Sequence, residues 1–131
     1  KFNQLRKTNK NIKTQVWCTI NIQNIFNLEQ VARWIETQDF DYVFYNYLHE
    51  AKEWNVQYLP TQYKENIKTK LLSNTINGQQ GKEINKALDF MMDKNLGNKQ
   101  MDARRKAKIQ ASDKFRNQNF ETIHAEYQGL L

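Results

Sequence analysis

Two short stretches of the chain are apolar at nearly every position, and the rest alternates polar and apolar with a helical period. "QVWCTI" (15–20) and "DYVFYNYL" (41–48) are rich in β-branched and aromatic residues and read as strands. In the second, Tyr42, Phe44 and Asn46 face one way and Val43, Tyr45 and Tyr47 the other. Apolar residues on both faces predict central strands of a parallel sheet, buried on each side. Between them, Leu28, Val31, Ala32 and Ile35 form one apolar stripe at helical spacing. Asn27 is placed to cap that helix, with Gln30 three residues on. Strand, helix, strand over about 30 residues predicts a βαβ unit.

Further on, "NVQYLP" (55–60) reads as a short extended segment ending at Pro60. Thr61 then looks like the cap of a helix carrying Tyr63, Ile67 and Leu71 at i, i+4, i+8. "NTINGQQG" reads as a glycine-containing loop. The next helix buries Ile84, Ala87, Leu88, Met91 and Met92 on one side. The segment "MDARRKAKIQASDKFRNQ" is helical in propensity, with a thin apolar face at Ala107, Ala111 and Phe115. A short helix at "FETIHAEY" precedes the tail "QGLL". At the other end, "KFNQLRKTNK" resembles the end of a helix, with Phe2 and Leu5 one turn apart. Because it also lacks an initial Met, the expectation is a fragment of a longer chain.

Length and composition narrow the class. The chain has 131 residues, one domain's worth, with 39% hydrophobic and 12% aromatic residues. No apolar run nears the ~20 residues of a membrane span, and no signal peptide is visible. The single cysteine, Cys18, excludes an internal disulfide and is compatible with a cytoplasmic, reducing compartment. The net charge of +6 is concentrated near the ends. Residues 1–13 carry five basic groups and no acid, and residues 94–116 carry eight basic and two acidic groups. Such segments suit phosphates, though solvated helix faces look the same.

Chemical motifs are sparse. There is no G-x-G-x-x-G and no phosphate-binding P-loop. "HEAKEW" lacks the second histidine of a zinc-binding H-E-x-x-H. His49 and His124 fit structural or solvated roles, Cys18 fits a core thiol, and Trp17, Trp34 and Trp54 fit core anchors. The amides are the candidates. Asn21 and Asn24 follow the first strand, and Asn46, His49 and Glu50 lie at or just after the end of the second. If the strands are parallel neighbours, all five share the C-terminal edge, where ligands bind in doubly wound sheets and (β/α) barrels. Plain turn chemistry explains asparagines equally well.

Three ordered segments carry a family resemblance. "VWCTINIQNIFNLEQVARWIE", "DYVFYNYLHEAKEWNVQYLPTQYKENIKTKLLS" and "ASDKFRNQNFETIHAEYQGLL" together resemble the C-terminal half of radical S-adenosylmethionine enzymes with a shortened, twitch-type C-terminal region, of the kind found in phages and marine bacteria. The likeness runs from about Lys13 to Leu131. It implies an α/β fold: the C-terminal part of a partial (β/α)₆ TIM-like barrel over residues 1–75, followed by a helical tail over 76–131. It implies S-adenosylmethionine and a [4Fe–4S] cluster, with radical modification of a substrate. Transferred by position, Thr19, Asn21 and Asn24 would contact S-adenosylmethionine, and Asn46, His49 and Glu50 the substrate. The departure is the cluster loop: C-x₃-C-x₂-C is absent, so this chain alone is expected to be inactive, its partner being the missing N-terminal barrel half. Two rival expectations stand beside this one. The first is a basic nucleic-acid-binding or protein-interaction module, which requires both basic segments to converge on one face. The second is a structural or inhibitory half-barrel that completes a partner chain.

Overall fold

The computed structural model describes residues 2–74 and 76–131, and side chains from Gln4 onward. The expected pairing of Phe2 with Leu5 therefore lies outside the described side chains. The order of elements is α1 (Phe2–Thr8), β1 (Gln15–Ile20), α2 (Leu28–Glu36), β2 (Tyr42–Tyr47), α3 (Thr61–Ser73), α4 (Gly78–Asp93), α5 (Lys99–Arg116) and α6 (Phe120–Ile123). Short 3-10 turns occupy Ile25–Asn27, Lys52–Trp54, Val56–Tyr58 and Ala125–Tyr127.

The strands pair in parallel, from Gln15 opposite Tyr42 to Ile20 opposite Tyr47. This parallel pair, joined through α2, is the mixed α/β arrangement expected. Among the described residues the sheet has these two strands.

The sheet buries one face rather than two. Cys18 and Ile20 are buried, and Tyr45 and Tyr47 pack against the core with them. The opposite face is bare: Trp17, Tyr42 and Phe44 are exposed, with Trp17 stacked on Phe44 at 4.4 Å. Helices cover one side of the sheet, and among the described residues nothing covers the other. Trp17 and Trp34 are thus surface residues rather than core anchors, at 56% and 51% exposure.

The core lies between the covered sheet face and the helices. Leu28, Ala32 and Ile35 of α2, Ile67 and Leu71 of α3, and Ile84, Ala87, Leu88 and Met91 of α4 point inward, as their spacing predicts. One cluster continues through Ile109 of α5 to Phe120 and Tyr127, so the core is continuous across residue 75. Gly81 explains part of the α4 approach, since a Cβ there would stand 1.9 Å from the Ile76 carbonyl oxygen. Helix α4 begins at Gly78, so the glycines of "NTINGQQG" belong to its first turn rather than to a loop.

Several local expectations are corrected. Asn27 does not cap α2; its side-chain oxygen accepts from Lys70 Nζ at 2.8 Å. Pro60, not Thr61, occupies the N-cap position of α3. Residues 55–60 are not extended throughout, because Asn55 caps a 3-10 turn by accepting from the Gln57 N–H at 2.8 Å. On α5 the inward residues are Arg105 and Ile109, while Phe115 is 90% exposed and Ala107 and Ala111 are exposed. Leu and Phe spacing carries the core only where apolar residues are plentiful. Helix α5 has few, so a buried arginine docks it instead.

Candidate site at the C-terminal rim of the strands

The loop after β1 is built by its own asparagines. Asn24 Oδ1 accepts from the Asn21 N–H at 3.0 Å, and Asn21 Oδ1 accepts from the Gln23 N–H at 2.8 Å. Both side-chain amides donate to the Thr19 carbonyl, at 3.2 Å from Asn21 and 2.9 Å from Asn24. These are Asx-turn bonds that satisfy strand-end backbone groups. The loop is then tied to the second strand's exit, where the Ile22 N–H donates to the Trp54 carbonyl at 3.0 Å.

The six residues singled out in sequence separate in the fold. Thr19 and Asn46 are direct cross-strand partners on the bare sheet face, both exposed. Asn21 and Asn24 are at the same edge, with their amides engaged in the turn. His49 packs edge-on against Phe90 of α4, with ring centroids 5.2 Å apart. Glu50 is exposed beside it. The C-terminal edge thus holds all six, but Thr19 and Asn46 are the pair facing open space together. Cys18 lies on the covered face, where burial pushes its thiol above the ordinary range.

Two adjoining clefts open at this rim. One, of about 290 Å³, is lined by Trp54, Asp113, Arg116, Phe120 and His124 among others. The other, of about 320 Å³, reaches Asn21 and Leu48 at the strand ends. Gln23, Trp54, Ser112 and Arg116 border both. Their far wall comes from α5 and α6, so the tail completes the rim. Asp113 Oδ2 accepts from the Phe120 N–H at 2.9 Å, and Asn119 caps α6 through the Thr122 N–H at 2.9 Å. Glu126 Oε1 lies 3.2 Å from His124 Nδ1 and orients that ring, which rests 4.6 Å from Phe120.

A buried polar fastener holds α5 in place. Arg105 is fully buried and donates to the carbonyls of Glu53 at 3.0 Å and Tyr58 at 2.8 Å. Its third contact is Asp102 Oδ1 at 2.8 Å. The carboxylate of buried Glu53 meets Lys108 directly and Arg104 at 3.4 Å. Lys64 fastens α4's end similarly, donating to the carbonyls of Gln57 at 2.9 Å and Lys94 at 2.7 Å. Burial lowers its pKa. Sequence inspection missed these groups because Arg and Lys are seldom fully buried. The one available signal was an arginine where α5's stripe needed a hydrophobe.

The N-terminal end of the sheet is basic. Arg6, Lys7, Lys10 and Lys13 line a cleft of about 470 Å³ with Asp39 and Asp41. Arg6 pairs with Asp41 at 3.1 Å, and Asp41 Oδ2 accepts from the Thr14 N–H at 2.7 Å. This basic segment and α5 lie at opposite ends of the strands. On α5, Arg104 and Lys108 meet the Glu53 carboxylate and Arg105 meets Asp102.

No group of three or more His, Cys, Asp or Glu side chains able to hold a metal occurs among the described residues. No helix among them is long and apolar enough to cross a membrane. No protein-family profile, curated protein or solved structure matches the chain.

Proposed function

We propose that this chain is the C-terminal barrel portion and helical tail of a cytoplasmic radical S-adenosylmethionine enzyme that modifies a substrate at the strand rim. The bare sheet face carries this reading. In a (β/α) barrel, helices cover the outer strand face and the inner face lines the barrel. Here α2 and α4 cover the face of Cys18, Ile20, Tyr45 and Tyr47, while Trp17, Phe44, Thr19 and Asn46 stand uncovered. That is the division a strand pair from a larger barrel would have. The free hydrogen-bonding side chains of Thr19 and Asn46, opposite each other near the C-terminal end, suit a cofactor or substrate contact.

The [4Fe–4S] cluster does not fit this chain. Three cysteine ligands are needed, and Cys18 is single, buried and on the helix-covered face. The missing N-terminal barrel half would have to supply the cluster loop, so no chemical step is assigned to residues here. Thr19 and Asn46 are the side chains proposed to meet S-adenosylmethionine or substrate. The amides of Asn21 and Asn24 would hold the loop in shape, with His49 and Glu50 at the margin.

The test starts with the gene. The reading frame upstream of Lys1, or a neighbouring one, is expected to encode C-x₃-C-x₂-C. The complete protein, reconstituted with iron and sulfide and reduced, is expected to release 5′-deoxyadenosine from S-adenosylmethionine. Thr19→Ala and Asn46→Ala are expected to raise KM for S-adenosylmethionine or substrate with iron content unchanged. Absence of the cysteine loop, or no 5′-deoxyadenosine from the complete protein, refutes the assignment.

A further inference from the structure

The rim cleft contains a cation that the fold does not use. Arg116 is exposed at the end of α5 and has no hydrogen-bond or ion-pair partner among the described residues. Asp113, one turn earlier, is the nearest carboxylate along the helix, and its Oδ2 is taken by the Phe120 N–H. The two carboxylates that meet other α5 cations, Glu53 and Asp102, are engaged by Lys108, Arg104 and Arg105. Beside Arg116 stand the half-buried Trp54 and the side chains of Gln23 and Ser112, which carry no partner among the described residues. Across the cleft, Glu126 holds His124 by Nδ1, leaving Nε2 free to bond.

We propose that this cleft binds a small ligand with a planar apolar body and a carboxylate or phosphate group. Arg116 takes the oxyanion, since its planar donor fork matches both groups. Trp54 supplies aromatic surface for the body, and exposed Ile123 of α6 supplies apolar surface in the same cleft. His124 Nε2, Gln23 and Ser112 surround them with the few polar groups that orient a ligand. The combined clefts suit a single substituted ring rather than a polymer. The inference rests on the proposed function only in taking this rim as the substrate end. It concerns the chain by itself, without cluster or S-adenosylmethionine, so the two fail separately.

The test is a two-dimensional ¹H–¹⁵N NMR titration of the full chain with phenyl phosphate, benzoate, inorganic phosphate and neutral benzamide. Phenyl phosphate or benzoate is expected to shift the Trp54 indole N–H and the Arg116 side-chain N–H saturably, and their relative affinities identify the oxyanion. Benzamide and inorganic phosphate, each holding half of the chemistry, are expected to bind at least about tenfold more weakly. Arg116→Gln is expected to weaken binding about tenfold, while Lys114→Gln, an equal charge change on the same helix, leaves it within about twofold. Nuclear Overhauser contacts from ring protons to Trp54 and Ile123 provide a check that needs no variant. Shifts that fail to saturate, equal binding of benzamide, or unchanged affinity in R116Q overturns the proposal. If the ring contacts fall on Trp17 and Phe44 instead, the cleft is likewise not the site.

Discussion

Replacing Arg105 with alanine is the sharpest test of how this fold is held. The side chain is fully buried and makes three contacts, to the carbonyls of Glu53 and Tyr58 and to Asp102. A hydrogen bond to a charged group contributes about 1.5–3 kcal/mol, and leaving a buried acceptor without a partner costs about 1–3 kcal/mol. Two carbonyls lose their donor, and a cavity the size of the guanidinium and its stem opens between α5 and the 3-10 turns. Water entry and relaxation recover part of this, so the net loss is about 3–5 kcal/mol, in the range seen when a buried polar network is broken. That is a large fraction of the roughly 5–15 kcal/mol typical of a domain. Urea unfolding followed by circular dichroism measures it, with the m-value checked for constancy. Arg105→Lys keeps charge but not the fork, and is expected to lose about 2 kcal/mol. Arg105→Met keeps volume, and is expected to be nearly as damaging as alanine because the carbonyls stay unpaired. A loss below about 1 kcal/mol in both R105A and R105M would show that α5 is not docked by this residue.

Phe115→Ser, on the same helix but 90% exposed, is expected to change stability by no more than about 0.5 kcal/mol in the same unfolding experiment. Gly81→Ala is expected to cost about 2 kcal/mol or more by thermal unfolding, because the new Cβ meets the Ile76 carbonyl and backbone must shift. Asp41 is held below the usual carboxylate range, first by the Thr14 backbone N–H and then by Arg6 and Lys13. A depressed folded pKa adds stability above the unfolded value of about 3.9 that is lost as pH falls through the folded one. Asp41→Asn is therefore expected to be less stable than the parent at pH 7 and to converge with it as pH falls below the unfolded value of about 3.9 in pH-dependent denaturation. Cys18 is expected to react with a disulfide reagent far more slowly than a free thiol at pH 8, and at the ordinary rate in urea, because burial raises its pKa and blocks access.

The amide-rich loop after β1 shows how local chemistry and site chemistry divide. Asn21 and Asn24 are conspicuous in sequence and sit at the ligand-binding edge, yet their side chains close the turn on Thr19. Asn27 has the position of a cap and instead receives Lys70 from α3, 43 residues away. Side-chain amides bond to whatever backbone lies within reach, and only the folded chain fixes what that is. The rim cleft was illegible for the same reason. Trp54, Arg116 and His124 are scattered over 70 residues and meet only when α5 packs on the turn after β2.

The sequence by itself determined the elements and most inward positions of α2, α3 and α4. Periodic apolar residues can be buried in only one orientation, so spacing is enough. It also determined the two strands, whose β-branched and aromatic residues leave little alternative. Tertiary structure decided which strand face is covered, because both are apolar and only the position of the helices distinguishes them. It decided that α5 docks through Arg105 rather than Phe115. A buried arginine is tolerable only where carbonyls and a carboxylate from distant segments converge, and no local pattern encodes that convergence.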